Sequence, residues 1–417
     1  MILLLPQQTL NIVGIPYGDA DASAVAKIHP GNFFIFLSFF VLIVSRGDPI
    51  ADLFRMARHY TAYFFMLMIY IAILVFWAVR GPGGVGMILD THIGMPIAAL
   101  VFSYAPPSMR RRITLWFVAI VAVNSAIGIG ESFTHLRLLP FDPSWEVLKQ
   151  DYFRASALFG HPLSNAVITA VTLFVVIDLP LHPFLKAALI GEMLISLVGF
   201  GGRMALVVAV AGCALLGARA LWASVTAHGL TVMRLTLALV AALAVPAIAG
   251  GALYAALHSD MGARLMAYDS LQDDSARVRV QSWKAPLLLS PEEVFFGVDG
   301  DRVDQISQQL DIASPTSDIE NPWILMFMFL GAIMFTLWLC GLAAVVRRLT
   351  SNASPALTMA VIGYFVIASS SNSFGRKDPM FLLLPGLIIC AKMLTDKDNI
   401  DAPNSASANL SLTDDRV

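Results

Sequence analysis

"LISLVGFGGRMALVVAVAG", residues 194–212, carries an arginine between two apolar runs. Read as one span, it would hold a permanent charge in hydrocarbon. Read as two helices joined by a turn, it puts Arg203 at a membrane face. Glycines at 199, 201 and 202 let the backbone reverse sharply. Arg203 then opens the second helix, where a guanidinium reaches the headgroups. Similar apolar runs recur along the 417 residues, which are 57% hydrophobic and 13% charged. Soluble domains average about 25% charged residues. A helix crosses a bilayer core of about 30 Å in roughly 17–25 residues. The expected fold is all-α, a polytopic transmembrane helical bundle.

Spans are expected at 31–45, 60–79, 85–104, 113–130, 162–180, 186–200, 204–222, 235–257, 322–346, 355–371 and 378–394. Cations in short loops set orientation. Arg46, Arg55 and Arg58 share one loop, and "PPSMRRR" (106–112) lies two loops later. Lys186, Arg219, Arg234, Arg347 and Arg348 continue the alternation, all on the cytoplasmic side. Long segments then fall outside, at 131–161 and 258–320. The domain plan is 1–257 as N-terminal helices, 258–320 as a large outer loop, 321–394 as C-terminal helices and 395–417 as a polar disordered tail. Eleven spans put the N-terminus outside. "MILLLPQQTL" (1–10) is then either a short interfacial segment or the remnant of a twelfth span.

The net charge of −2 gives no footprint for nucleic acid. Cys213, Cys340 and Cys390 lie inside apolar runs and suggest neither a disulfide framework nor a metal site. No cofactor is expected.

Charged groups collect on the outer side. "YFRASALFGHPLSNA" (152–166) places Arg154 and His161 at the start of a helix opened by Pro162. "SARVRVQSWKAPLLLSPEEVFFGVDG" (275–300) reads as a short amphipathic helix with Arg277, Arg279 and Trp283, then a glycine turn. "SDIENPWILMFMFLGAIMF" (317–335) brings Glu320 and Asn321 to the membrane. Each has a plain alternative: His161 bonding its own turn, the arginines on a solvated face, Glu320 favoured by a helix dipole. Together they suit an anionic substrate. Arginine forks match phosphate, and a carboxylate or imidazole nearby takes a hydroxyl proton.

The order of these features resembles the O-antigen polymerase and ligase superfamily of bacterial polysaccharide assembly. The matching pieces are the arginine and Gly-His-Pro of 154–162, the glycine turn ending in Arg203, and a large external loop. That loop carries arginine and tryptophan at 277–283, "FFGVDG" at 295–300 and "ENPWILMFMFLG" at 320–331. The parent architecture has twelve spans and one large periplasmic loop. The resemblance implies metal-independent, inverting glycosyl transfer at the periplasmic face of the bacterial inner membrane. Donor and acceptor would be glycans on undecaprenyl pyrophosphate, with membrane lipids, a chain-length regulator and a flippase as further partners. Arg203 with Arg277 or Arg279 would hold the pyrophosphate. Glu320, or else His161, would take the acceptor proton, and Arg154 would steer the second glycan. Arg376, with Lys377, would meet anionic glycans or headgroups. Where the family has His-Asn this chain has Glu320-Asn321, which points away from a ligase and toward an exopolysaccharide polymerase.

"DGDRVD" (299–304) is read as a polar turn, since an EF-hand's glycine and distal glutamate are missing. Asp90 and His92, within the third span, line a cavity, pair together, or form a proton path. Glu192 is expected to pair with a polar neighbour. The rival function is a transporter, which would show repeated halves, broken helices and midplane charges. A membrane scaffold would need none of the outer arginines.

Overall fold

The computed structural model describes residues 5–17, 26, 28–45, 47–80, 85–139, 153–228, 254, 258, 274–312, 319–370 and 377–395. Among these residues the chain is helical, with no strand. The helices are α1 (Gln7–Ile12), α2 (Pro30–Val44), α3 (Pro49–His59) and α4 (Thr61–Arg80). A π-helical stretch (Ile88–Ile93) leads into α5 (Gly94–Tyr104). Next come α6 (Pro107–Thr134), α7 (Pro162–Asp178), α8 (Pro183–Gly199) and α9 (Arg203–His228). The segment after them holds α10 (Asp274–Ser282), α11 (Pro291–Phe296) and α12 (Gly300–Gln309). The chain closes with α13 (Pro322–Thr350), α14 (Pro355–Ala368) and α15 (Pro379–Thr395). Every expected span is a helix except 235–257, of which only residue 254 is described.

Proline opens α2, α3, α6, α7, α8, α13 and α14. The first helical position has no intrahelical use for an N–H, and proline's φ is already set there. Side chains cap several starts: Asp48 accepts from the N–H groups of Ile50 and Ala51, and Ser354 from Leu357.

Among the described residues, four helices are long and apolar enough to cross a membrane: Thr61–Val79, Pro107–Thr134, Arg203–Ala227 and Pro322–Thr350. Their outer faces carry exposed apolar residues such as Val79, Trp116, Val207 and Trp222. Water would penalise such a surface and hydrocarbon does not. Shorter apolar helices sit among them, including Pro162–Asp178 and Pro355–Ala368. α7 is buried along almost its whole length. A helix enclosed by protein has no lipid thickness to match.

One expectation needs correction. Arg55 and Arg58 do not lie in a loop. They belong to α3, bent by 112° from α2. α3 exposes Ile50, Leu53 and Phe54 and buries Asp52 and Met56. Arg55 pairs with Asp52 at 3.2 Å. Such a helix suits the bilayer surface.

The bundle has two unlike ends. One end has short turns and the cations. Here Arg110 donates to the Ala105 carbonyl (2.7 Å), Lys186 to Ile177 (2.9 Å) and Lys392 to Ser351 (2.7 Å). These are carbonyls at or just beyond helix C-termini, where cations are favoured. The other end carries the long segments. There Gly202 packs on Ala166, Trp323 donates to Ser369 (2.8 Å), and the Asp378 N–H donates to Thr91 (3.2 Å).

The segment 274–312 builds a small core of its own. Val278, Ala285, Val303, Ile306 and Ile312 pack with Ile319, Ile324, Leu325 and Met328. "DGDRVD" is therefore not a turn. Asp299 caps α12 by accepting from the Arg302 N–H (2.9 Å), and Val303 faces the core.

The glycine turn after α11 drives into α13. Gly297 (φ 78°) and Gly331 (φ 65°) meet backbone to backbone, and α13 is broken at Gly331. The break frees carbonyls that find other donors: Met328 accepts from the Val298 N–H (2.7 Å) and Phe329 from the Trp77 indole (3.4 Å). A Cβ on Gly297 would lie 2.4 Å from the Phe329 carbonyl oxygen. Gly297→Ala is expected to lower stability by about 1–3 kcal/mol through overpacking. Thermal unfolding of the purified protein measures it. An unchanged Tm would mean that the two backbones are not locked together.

Candidate functional site

The loop end brings part of the expected cluster together. Residues 153–161 fold onto the turn between α8 and α9. The Ala155 N–H donates to the Gly199 carbonyl (3.1 Å), and Arg154 Nε lies 3.4 Å from the Phe200 carbonyl oxygen. A Cβ on Gly201 would be 3.2 Å from Arg154 Nε. Gly201 has φ 65°. The turn thus needs glycine for its backbone and to let the guanidinium cross it. Arg203 follows two residues later as the first residue of α9. His161 sits at the N-terminal boundary of α7, beside Arg154. Arg154, His161 and Arg203 therefore share one junction.

Buried polar side chains hold that junction, and the sequence reading had not singled them out. Glu131, at the end of α6, is buried. Its carboxylate accepts from the N–H groups of Leu138 (2.7 Å), Ser156 (2.9 Å) and Ala157 (2.9 Å). Asn124 Oδ1 accepts from the Leu158 N–H (2.9 Å), and its amide donates to Asn165 Oδ1 (2.7 Å). Asn165 donates in turn to the Ser156 and His161 carbonyls. From the other side Gln8 donates to the Gly160 carbonyl (2.9 Å). The backbone around His161 is satisfied by side chains, as a buried loop requires.

Burial, and then the Arg154 guanidinium, push the His161 imidazole down to about 4. Histidine is then neutral at pH 7, a hydrogen-bonding group without charge. Between the unfolded value near 6.5 and about 4, the unfolded chain binds the extra proton. Stability is expected to fall as pH falls through that window. His161→Gln removes the titrating group and should flatten this part of the curve. An equal slope in the variant, read by thermal unfolding between pH 7 and pH 4, would place the titration elsewhere.

Glu320 and Arg279 form a second group. Arg279 Nε lies 3.3 Å from Glu320 Oε2, and the carboxylate is about a quarter exposed. Glu320 is thus held by an arginine rather than enclosed in apolar surroundings. Asn321 is the cap of α13: its Oδ1 accepts from the N–H groups of Trp323 (3.0 Å) and Ile324 (3.2 Å). That work accounts for its conformation without a substrate. Trp283 is exposed after α10. The Arg277 side chain and Arg376 lie outside the described residues. Two residues after Asn321, the Trp323 indole donates to Ser369 at the same end of the bundle.

A third group surrounds Asp90. The π-helical stretch buries Asp90, Thr91 and His92. Asp90 accepts from the Tyr17 hydroxyl, the His29 N–H (2.6 Å) and the Asn32 amide (2.6 Å). Lys377 Nζ lies 3.9 Å from the centre of the Tyr17 ring and donates to the Tyr17 carbonyl (3.2 Å). Asp378 accepts from the Tyr364 hydroxyl (2.6 Å). The His92 ring packs on Tyr70 and Phe381, with centroids 5.0 and 5.2 Å away. This group ties residues 17 and 29 to the bundle and leaves Asp90 saturated. Glu192 is half-buried on α8, with no polar partner among the described residues. No cluster of metal-ligand side chains occurs among the described residues.

Compared with known proteins, the chain matches no family model, no curated protein and no solved structure.

Proposed function

We propose that this chain is a polysaccharide polymerase of the bacterial inner membrane. It joins oligosaccharide repeat units carried on undecaprenyl pyrophosphate at the periplasmic face. The observation that carries this reading is the junction of Arg154, His161 and Arg203, built by Glu131, Asn124 and Asn165. Arg154 beside a neutral imidazole, with Arg203 opening the adjoining helix, supports a diphosphate site. The cation-rich turns at the opposite end support a cytoplasmic placement of that end, and so a periplasmic site.

The chemistry is an inverting displacement. The acceptor hydroxyl oxygen forms a bond to the anomeric carbon of the donor sugar. The bond from that carbon to the phosphate oxygen breaks, and the electron pair leaves with undecaprenyl diphosphate. Arg203 and Arg154 stabilise the charge that develops there. The proton passes to Glu320, oriented by Arg279. His161 at about 4 is a weaker proton acceptor than a free imidazole and is assigned to hydrogen bonding with substrate. A short glycan passed on to another acceptor, the ligase reaction, would use the same groups.

One observation favours a transporter instead: α13 is broken at Gly331, and broken helices occur in carriers. Liposomes separate the two. Protein is reconstituted, and lipid-linked repeat units are supplied only on the face carrying residues 153–161. Longer products support the polymerase. Movement of units across the bilayer at constant length supports the transporter and ends the first reading.

A further inference from the structure

The turn that enters the break in α13 also shapes a cavity of about 500 Å³. This is within the usual range of small-molecule sites, roughly 300–1,000 Å³. One side is aromatic: Trp77 from α4, Phe329 from α13 and Phe296 from α11. The other side is polar: Glu293, Asp301, Arg302 and Gln305. The two sides suit different ligand faces. Aromatic rings take an apolar face, and planar carboxylates and guanidinium take pairs of hydroxyls or amines. A sugar ring offers both, with C–H groups on its face and hydroxyls at its edge.

The polar side is held in place. Arg302 Nε lies 2.9 Å from Glu293 Oε1. Glu293 also accepts from the Ser290 N–H (2.7 Å), within a reciprocal cap at the start of α11. Those bonds hold the Glu293 carboxyl below its ordinary value, the Ser290 backbone first and Arg302 next. Glu293 and Arg302 thus present a fixed fork. The aromatic side is fixed as well, since the Trp77 indole donates to the Phe329 carbonyl (3.4 Å) and the two rings meet edge to face (5.9 Å). Phe296 lines the cavity and is 44% exposed. Carboxylates outnumber the one guanidinium, which disfavours phosphate and uronic acids.

We propose that this cavity is a saccharide subsite that takes a neutral or amino sugar of the acceptor glycan. The proposal rests on the glycan reading above and extends it. Phe329 lies roughly 10 Å along α13 from Pro322, at the helical rise of about 1.5 Å per residue, and Glu320 precedes that helix by two residues. The cavity therefore grips the acceptor at a distance from the reacting hydroxyl. It supplies orientation rather than chemistry.

The test uses the full chain in lipid nanodiscs. The probe is short oligosaccharides released by mild acid from the producing strain's own surface polysaccharide, with binding read by saturation-transfer NMR. The wild-type chain is expected to bind them. Asp301→Asn combined with Gln305→Ala should weaken binding about tenfold, as loss of a charge-assisted hydrogen bond predicts. Phe296→Ala should weaken it to a similar extent, and Phe296→Trp should retain it. No binding by the wild type, or equal binding by every variant, overturns the subsite. Cavity variants that lose binding while Arg203→Ala membranes still make full-length polymer keep the subsite and end the polymerase reading. Unchanged binding in the cavity variants, with polymer lost in Arg203→Ala, ends the subsite alone.

Discussion

On the proposed polymerase reading, Arg203→Ala is expected to lower kcat/KM for joining repeat units by about 10²–10³, the usual cost of removing one donor aimed at developing charge. The reason lies in the timing of the charge. In the bound donor the diphosphate is shared with the sugar, and as the glycosidic bond breaks its bridging oxygen becomes anionic. A guanidinium at that oxygen gains strength in the transition state, so the loss falls mainly on kcat. Arg203→Lys keeps the charge and loses the fork, and should recover part of the rate. Arg111→Ala, on the opposite end of the bundle, serves as the control and should leave the rate unchanged. Product ladders from lipid-linked repeat units in reconstituted vesicles measure all three. Wild-type ladders from Arg203→Ala would remove Arg203 from the reaction.

Glu131→Ala is expected to cost about 3–5 kcal/mol, the range for stripping a buried charge of its partners or partners of their charge. Three backbone N–H groups, of Leu138, Ser156 and Ala157, converge on this carboxylate. Alanine leaves all three without their acceptor. Two of those residues, Ser156 and Ala157, are buried. Buried donors left unmade cost about 1–3 kcal/mol each. Glu131→Gln has the same shape, but its amide nitrogen would face one donor set, so it should lose roughly half as much. The effect is local before it is global. Amide exchange at 155–158 should accelerate in Glu131→Gln while the middle of α7 stays protected. Protection at 155–158 equal to wild type would show that the loop holds itself. If the junction is the active site, activity should fall along with this protection.

Much of the candidate site was legible in the sequence. Gly199, Gly201 and Gly202 before Arg203 read as a tight turn, and His161 before Pro162 reads as a helix boundary. The structure places both residues there. Glu131 gave no such signal. A glutamate near the end of an apolar helix looks like any interfacial charge. Only the return of the chain at 155–158, after twenty or so intervening residues, gives it a purpose. Asn321 gave an ambiguous signal, since a helix cap and a substrate contact look alike in sequence, and the structure shows the cap. "DGDRVD" misled: aspartate before glycine is common in turns, and here it caps α12. Tyr17 and Lys377 are separated by 360 residues. No local pattern could join them across Asp90.

The sequence alone determined the long apolar helices, several of their proline starts and the division of the bundle into a basic end and a loop end. These depend on local physics: the length of each apolar run, proline's missing N–H, and the cost of backbone outside a helix in lipid. Tertiary structure alone decided which charge meets which group. It seated Arg154 against the Gly201 turn, paired Arg279 with Glu320, gave Glu131 three N–H partners, and broke α13 where Gly297 meets Gly331. A charge or a freed carbonyl in a low-dielectric interior must find a partner in space. Which partner it finds depends on packing between distant segments, and neighbours in the chain do not carry that information.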